Sequence, residues 1–460
     1  MAETIMDKRM VTTDPADVDL SIKEKLMYSC GGFADNMVMG LGTYMSFFLT
    51  DIVVIPATFV ASMQFFCKFW DAIIDPPIGA MADRTNTRFG RYRAWMMNFP
   101  ALLVAVPLFF FALPTESLGL KQAWAVFTYL LYFTAYSIYD IPYTAAAAVL
   151  TKNYKSRGSI SSYRLAFGNI GNLICQSGFL VLMPFLGGAT RAQGYFRTVV
   201  FCMVCTIPFF IIAVIGTKER VQPDVTDKPI PIKEFYRVLR GNKPLLWICL
   251  AHICWGLFGS LLGTRIYYFT YVIGETTLFS THAAFWLAGM SCGPVVNSWA
   301  MKLCKNKRTP GMVCWLTGGA VLICTYFLNF TAENIMIYHI IGFIYGLCGF
   351  CGLNAIFACW PDLTEYTKYK YGLTTTGFLF AFVNFVFQFG GSFSSAAFQM
   401  IIGVLGYTPN VPQPPEILFV MKASITLVQG CILLIGAFCL WQYRIDENAY
   451  KEFITASAEG

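Results

Sequence analysis

A chain of 460 residues that is 56% hydrophobic and 13% charged, with a mean hydropathy of +0.56, is not composed like a soluble globular protein; soluble chains carry roughly twice that charged fraction. The net charge of +7 is spread along the chain, which excludes a nucleic-acid groove and makes anionic lipid the natural neighbour of the basic residues. Three scattered histidines, no phosphate-cradling loop and no nucleophile elbow exclude zinc, nucleotide-driven and hydrolase chemistry on this chain.

Residues 1–25 are mixed and charged, with no apolar core ahead of Leu26, so they read as a cytoplasmic tail and the first span itself must direct insertion. Apolar runs long enough to cross a bilayer then recur, near 26–50, 55–82, 94–113, 123–150, 161–187 and 195–216. Residues 217–243 are charged and proline-bearing and form a linker, in which IKEFYRVLRG is patterned as a short surface helix. Six more runs follow, near 244–274, 280–303, 310–328, 335–361, 373–404 and 417–443, before a second tail at 445–460. The pattern predicts an all-α membrane protein of twelve transmembrane helices, with bundles at 26–216 and 244–444.

Basic residues support the even count. Of the 33 Lys and Arg residues, Lys121, Arg191 and Arg197 alone fall in the loops assigned outside, and Lys68, Arg164, Arg265 and Lys422 fall within spans. All others lie in the tails, the linker and the alternate loops, which predicts both termini in the cytoplasm. The sixteen cysteines fall mostly in apolar runs; CMVC at Cys202–Cys205 and CGFC at Cys348–Cys351 read as packing thiols, since neither has a partner cluster.

Within the second run, Asp71 and Asp75 stand four apart, on one helical face. Carboxylates in lipid are costly and mark an ion or substrate path, and two on one face repel unless a cation or proton joins them. In the fourth run Tyr136, Ser137 and Asp140 also share a face. Hard cations favour such oxygen ligands.

Several stretches carry a family resemblance. The turn GAMADRTNTRFGR, from Gly79 to Arg91, resembles the loop between the second and third helices of the major facilitator superfamily. More narrowly, TDIV, WDAIIDP, SIYDIPY, SYRLAF, IYYFTYVIG, WPDLTEYTKYK and GYTPNVPQ occur in the order found in the glycoside–pentoside–hexuronide:cation symporters of the melibiose permease type. The resemblance runs nearly the length of the chain and implies two pseudo-symmetric six-helix bundles with a site between them.

It also implies roles, position by position. Asp71, Asp75, Asp140 and Ser137 match the cation site; Asp35 or Asn36, Tyr136, Asp140, Tyr143 and Arg164 match the sugar site. Gly79, Asp83, Arg84, Arg88 and Arg91 match a cytoplasmic gate that latches one half against the other. Departures matter. Thr144 replaces a sugar-stacking tryptophan, Gln388 or Phe389 falls where an eleventh-helix lysine is expected, and Arg265 is a base where melibiose permease has a small residue. Arg265 either grips an acidic sugar, caps an internal acid or snorkels.

The expected function is symport of a glycoside, pentoside or hexuronide with sodium, a proton or lithium across a bacterial inner membrane. No resident cofactor, no nucleic acid and a functional monomer are expected. Two alternatives are a lysolipid-type carrier on the same fold and a membrane-embedded enzyme or sensor.

Overall fold

The computed structural model of the chain describes residues 18–151, 153–188, 190–221, 241–304, 306–371 and 376–443. Residues 1–17 of the first tail, the second tail, most of the linker and the surface helix expected within it lie outside the described residues, and the first helix starts at Ile22, four residues inside the expected tail. Every regular element described is helical.

The first half comprises α1 (Ile22–Gly42), α2 (Ala57–Arg84), α3 (Phe99–Phe109), α4 (Leu118–Val149), α5 (Tyr154–Leu186) and α6 (Arg191–Gly216). The second comprises α7 (Lys243–Ile273), α8 (Leu278–Cys304), α9 (Thr309–Tyr326), α10 (Ile335–Tyr371), α11 (Thr376–Val404) and α12 (Pro415–Gln442). Among the described residues, α5, α6, α7, α9, α10, α11 and α12 are long and apolar enough to cross a membrane by length and composition. The helices α1, α2 and α4 are not among them. Asp35, the Asp71/Asp75 pair, and Asp140 with its neighbouring tyrosines dilute their apolar runs.

Helix pairing repeats with a shift of six. α1 packs on α5 as α7 packs on α11, α2 on α4 as α8 on α10, and α1 on α6 as α7 on α12. The halves meet where α2 packs on α11 and, equivalently, where α5 packs on α8. This is the pseudo-two-fold arrangement of the major facilitator fold.

The same symmetry governs the broken helices. After Gly42, a turn at Thr43–Tyr44 leads into Met45–Phe47 and a π-helical turn, Phe48–Ile52. In α7 a turn follows Ser260 and leads into Arg265–Tyr267 and the π-helical turn Tyr268–Ile273. The breaks face each other, a methyl group built on Gly263 lying 3.6 Å from the Thr43 carbonyl oxygen. Irregular backbone at membrane depth is tolerated where protein or a cavity covers it.

Helix ends differ from the apolar limits where polar residues extend a helix beyond lipid. α5 starts at Tyr154 rather than near 161, because the Asn153 side chain caps it by accepting from the Ser156 N–H at 3.1 Å. α10 continues to Tyr371 through charged residues past the expected limit of 361. The third span is interrupted, with Tyr92–Met96 preceding α3.

Candidate functional site

The site begins with a close helix contact. A methyl group on Gly171 would lie 2.3 Å from the Phe33 carbonyl oxygen, and one on Gly32 would lie 2.8 Å from the Arg164 carbonyl oxygen. Glycine at both places lets α1 and α5 pack backbone to backbone, the membrane route to tight association. That brings Asp35 and Asn36 of α1 beside Arg164 of α5.

A cavity of about 230 Å³ opens between this pair and α4, lined by Gly32, Asp35, Asn36, Asp140, Tyr143, Thr144, Arg164, Leu165 and Asn169. Asp35 is buried; its Oδ2 accepts from the Tyr136 hydroxyl at 3.4 Å, and its Oδ1 has no hydrogen-bond partner among the described residues. Asn36 is held by donating Nδ2–H to the Gly32 carbonyl at 3.0 Å. Thr144 donates to Asp140 Oδ1 at 3.3 Å and accepts from Arg164 Nη1 at 2.9 Å. The Arg164 guanidinium carbon stands 5.8 Å from the centre of the Tyr143 ring. Reciprocal bonds with Tyr28 fix that ring: the Tyr28 hydroxyl donates to the Tyr143 carbonyl at 2.5 Å and the Tyr143 hydroxyl to the Tyr28 carbonyl at 3.1 Å.

The cavity thus joins Asp35, Asn36, Asp140, Tyr143 and Arg164. Asp71, Asp75 and Ser137 lie outside its lining. Asp71 and Ser137 are buried, and α2 is tied to α4 nearby by the Trp70 indole, which donates to Thr134 Oγ1 at 2.9 Å. Asp75 is close enough to Asp140 for their charges to interact. Neither acid of the second span lines the cavity, and Asp75 is the one within charge range of Asp140.

Arg265 and Gln388 are not among the lining residues. Arg265 is 2% exposed, donates to Gln429 Oε1 at 2.5 Å and stacks 4.3 Å from the Tyr345 ring centre. Among the described residues no carboxylate pairs with it, so a neutral amide and an aromatic face stand where a counter-ion is usual. Gln388 is half-buried on α11.

The loop from Gly79 to Arg91 makes its contacts inside the first half among the described residues. Asp83 accepts from the Tyr92 hydroxyl at 2.7 Å, and Arg88 lies over Phe89. Glu219, just after α6, accepts the backbone N–H groups of Arg91, Tyr92 and Arg93, each at 2.8 Å. Gly90 adopts φ +107, and a methyl group there would meet the Glu219 carboxylate at 2.8 Å.

Among the described residues, a set of side-chain hydrogen bonds joins the halves at the end remote from Val18 and Tyr443. Buried Asp51 accepts from Thr50 Oγ1 at 2.6 Å, from Tyr407 at 2.7 Å and from Tyr271. Asn410 donates Nδ2–H to the Asp51 carbonyl at 2.9 Å, Tyr267 meets Thr50 at 2.7 Å, and Gln399 donates to Tyr267 at 3.0 Å. Sequence reasoning missed this network, although TDIV, IYYFTYVIG and GYTPNVPQ contain most of it. It missed Asn169 and Gly32 as well; an amide five residues beyond Arg164, the first of three in an apolar run with Asn172 and Gln176, was the available signal for Asn169.

Two six-helix halves related by a repeated helix pairing, with a polar cavity among α1, α4 and α5 of the first, define a transporter of the major facilitator fold. The chain belongs to the family described as MFS/sugar transport protein, which matches residues 27–447, and the resemblance to the glycoside–pentoside–hexuronide symporters holds. It is 29% identical to an isoprimeverose transporter of Lactiplantibacillus pentosus over 92% of this chain and 89% of that one. It is 28% identical to a protein of Salmonella typhimurium named as a putative sulfoquinovose importer, over 98% and 95% of the two chains. Among solved structures it is similar to a D-xylose–proton symporter, with a TM-score of 0.65, 14% identity, and coverage of 92% and 98%. The protein is an integral membrane secondary transporter of the symporter type and not an enzyme.

Proposed function

We propose that this protein moves a glycoside, pentoside or hexuronide inward together with sodium or a proton, by alternating access. The observation that carries the reading is the cavity in which Asp35, Asp140 and Arg164 converge, with Asp75 within charge range of Asp140. Saccharide hydroxyls both donate and accept, and that lining supplies charged partners of each kind. At about 230 Å³ the cavity falls below the roughly 300–1,000 Å³ usual for ligand pockets, which suits one sugar ring better than an extended lipid.

A cation at Asp71, Asp75, Asp140 and Ser137 would relieve repulsion among the acids and orient Asp140 toward the sugar. Coupling then requires each ligand to favour the other, reciprocally. Inward movement of one positive charge yields about 2.3 kcal/mol per 100 mV, enough for about fortyfold accumulation. Both termini are assigned to the cytoplasm of a bacterial cell, and the monomer is the working unit.

A thermal-shift panel on purified protein tests this: xylosides, glucosides and glucuronides, each with sodium, with lithium or at low pH. One sugar–cation pair should stabilise more than either component alone. Additive or absent shifts across the panel would sink the symport reading.

A further inference from the structure

Asp140 and Arg164 face one cavity with opposite charges, yet no ion pair joins them among the described residues. Charged groups held in protein within the membrane ordinarily pair with one another. The Thr144 hydroxyl stands between them, donating to Asp140 Oδ1 at 3.3 Å and accepting from Arg164 Nη1 at 2.9 Å. A guanidinium has five donors and a carboxylate about four acceptor sites; the bridge occupies one of each. A direct bidentate pair would take two donors and both oxygens.

Helix geometry explains how the bridge persists. Thr144 lies four residues beyond Asp140, on the same face of α4. Arg164 belongs to α5, which packs closely on α1 and only lightly on α4. The Thr144–Arg164 bond therefore spans the gap that contains the cavity. Asp35 Oδ1, buried and without a hydrogen-bond partner among the described residues, adds a second acceptor to the lining.

We propose that Thr144 is a positioning residue of the substrate site. Its hydroxyl keeps Arg164 and Asp140 as separate donor and acceptor poles, so that neighbouring hydroxyl groups of a substrate bind across them. This rests on the saccharide-transport reading, but the geometry it asserts can be tested without any sugar.

The first measurement is the rate at which phenylglyoxal modifies Arg164 in purified protein, followed by mass spectrometry. Wild type and Thr144→Ser should react alike. Thr144→Val and Thr144→Ala should react several-fold more slowly, because Asp140 then takes the guanidinium directly, and adding Asp140→Asn should restore the rate. The second measurement is uptake of methyl β-D-xyloside and methyl β-D-glucuronide. Thr144→Val should raise KM about tenfold, the loss expected of one hydrogen bond to a charged group, with maximal rate nearly unchanged and Thr144→Ser restoring KM. Equal Arg164 labelling in wild type, Thr144→Ala and Thr144→Val would overturn the proposal. If wild type takes up neither glycoside, the saccharide reading is what fails, and the labelling comparison still decides the role of Thr144.

Discussion

Asp51 accepts a hydrogen bond at 2.7 Å from Tyr407, a residue 356 positions further along the chain. Tyr271 donates to the same oxygen, and its hydroxyl oxygen lies 3.0 Å from that of Tyr407. One carboxylate of the first span thus gathers side chains from α7 and from the loop after α11. The Asp140–Arg164 cavity, in contrast, is lined by α1, α4 and α5 of the first half. Alternating access requires such a closure to be reversible. A set of hydrogen bonds worth about 0.5–3 kcal/mol each is strong enough to hold and weak enough to release.

Replacing Asp51 with Asn should loosen this closure, since a charge-assisted acceptor becomes a neutral one worth about half as much. Backbone amides at 48–53, 268–273 and 406–411 should exchange hydrogen for deuterium faster, while those of the α1–α5 contact stay protected. Unchanged exchange at all three segments would show that Asp51 does not hold the halves together.

Asp71→Asn and Asp75→Asn should each abolish accumulation of sugar against a gradient, and reduce sugar-induced thermal stabilisation less severely, to what sugar gives without the cation. The reason is separation: both acids lie outside the cavity lining, so they act on the sugar through the cation and not by contact. Proteoliposomes with an imposed cation gradient provide the readout. Normal accumulation by both variants would remove them from the cation path.

Arg265 is enclosed by Tyr345 and Gln429 rather than open to the cavity. Arg265→Ala should therefore lower the melting temperature by leaving a void and unpaired polar atoms, at about 2–4 kcal/mol, and reduce uptake of neutral and acidic sugars in equal proportion. A selective loss of acidic sugars would return Arg265 to the substrate site.

Glu219 satisfies three backbone N–H groups at the start of the third span. Glu219→Ala should cost about 1–3 kcal/mol by orphaning these donors, and Glu219→Gln less, because an amide oxygen still accepts. Melting temperatures in detergent give the comparison; equal values for Ala and wild type would mean that water replaces the carboxylate freely.

The fold was largely legible in the chain. Hydropathy and the placement of Lys and Arg depend on each residue's own encounter with lipid or water, a local property that survives without coordinates. The acids of α1, α2 and α4 were legible for the same reason, since a carboxylate in an apolar run is conspicuous wherever it ends up. Arg265 was equally conspicuous, and composition alone left its direction open. An arginine can be neutralised by a substrate, an acid, or an aromatic face and an amide, and only packing selects among these.

What the sequence determined by itself is the inventory: which stretches are apolar enough to form the helices of the fold, and which charges they carry. The tertiary structure decided the groupings. Gly32 and Gly171 bring α1 and α5 together so that Asp35 and Arg164 line one cavity, Thr144 bridges Asp140 and Arg164, and Asp51 finds its tyrosines in the other half of the molecule. Hydropathy is summed along the chain. A hydrogen bond is made across space, and its partner is fixed by how backbones approach, which no single residue encodes.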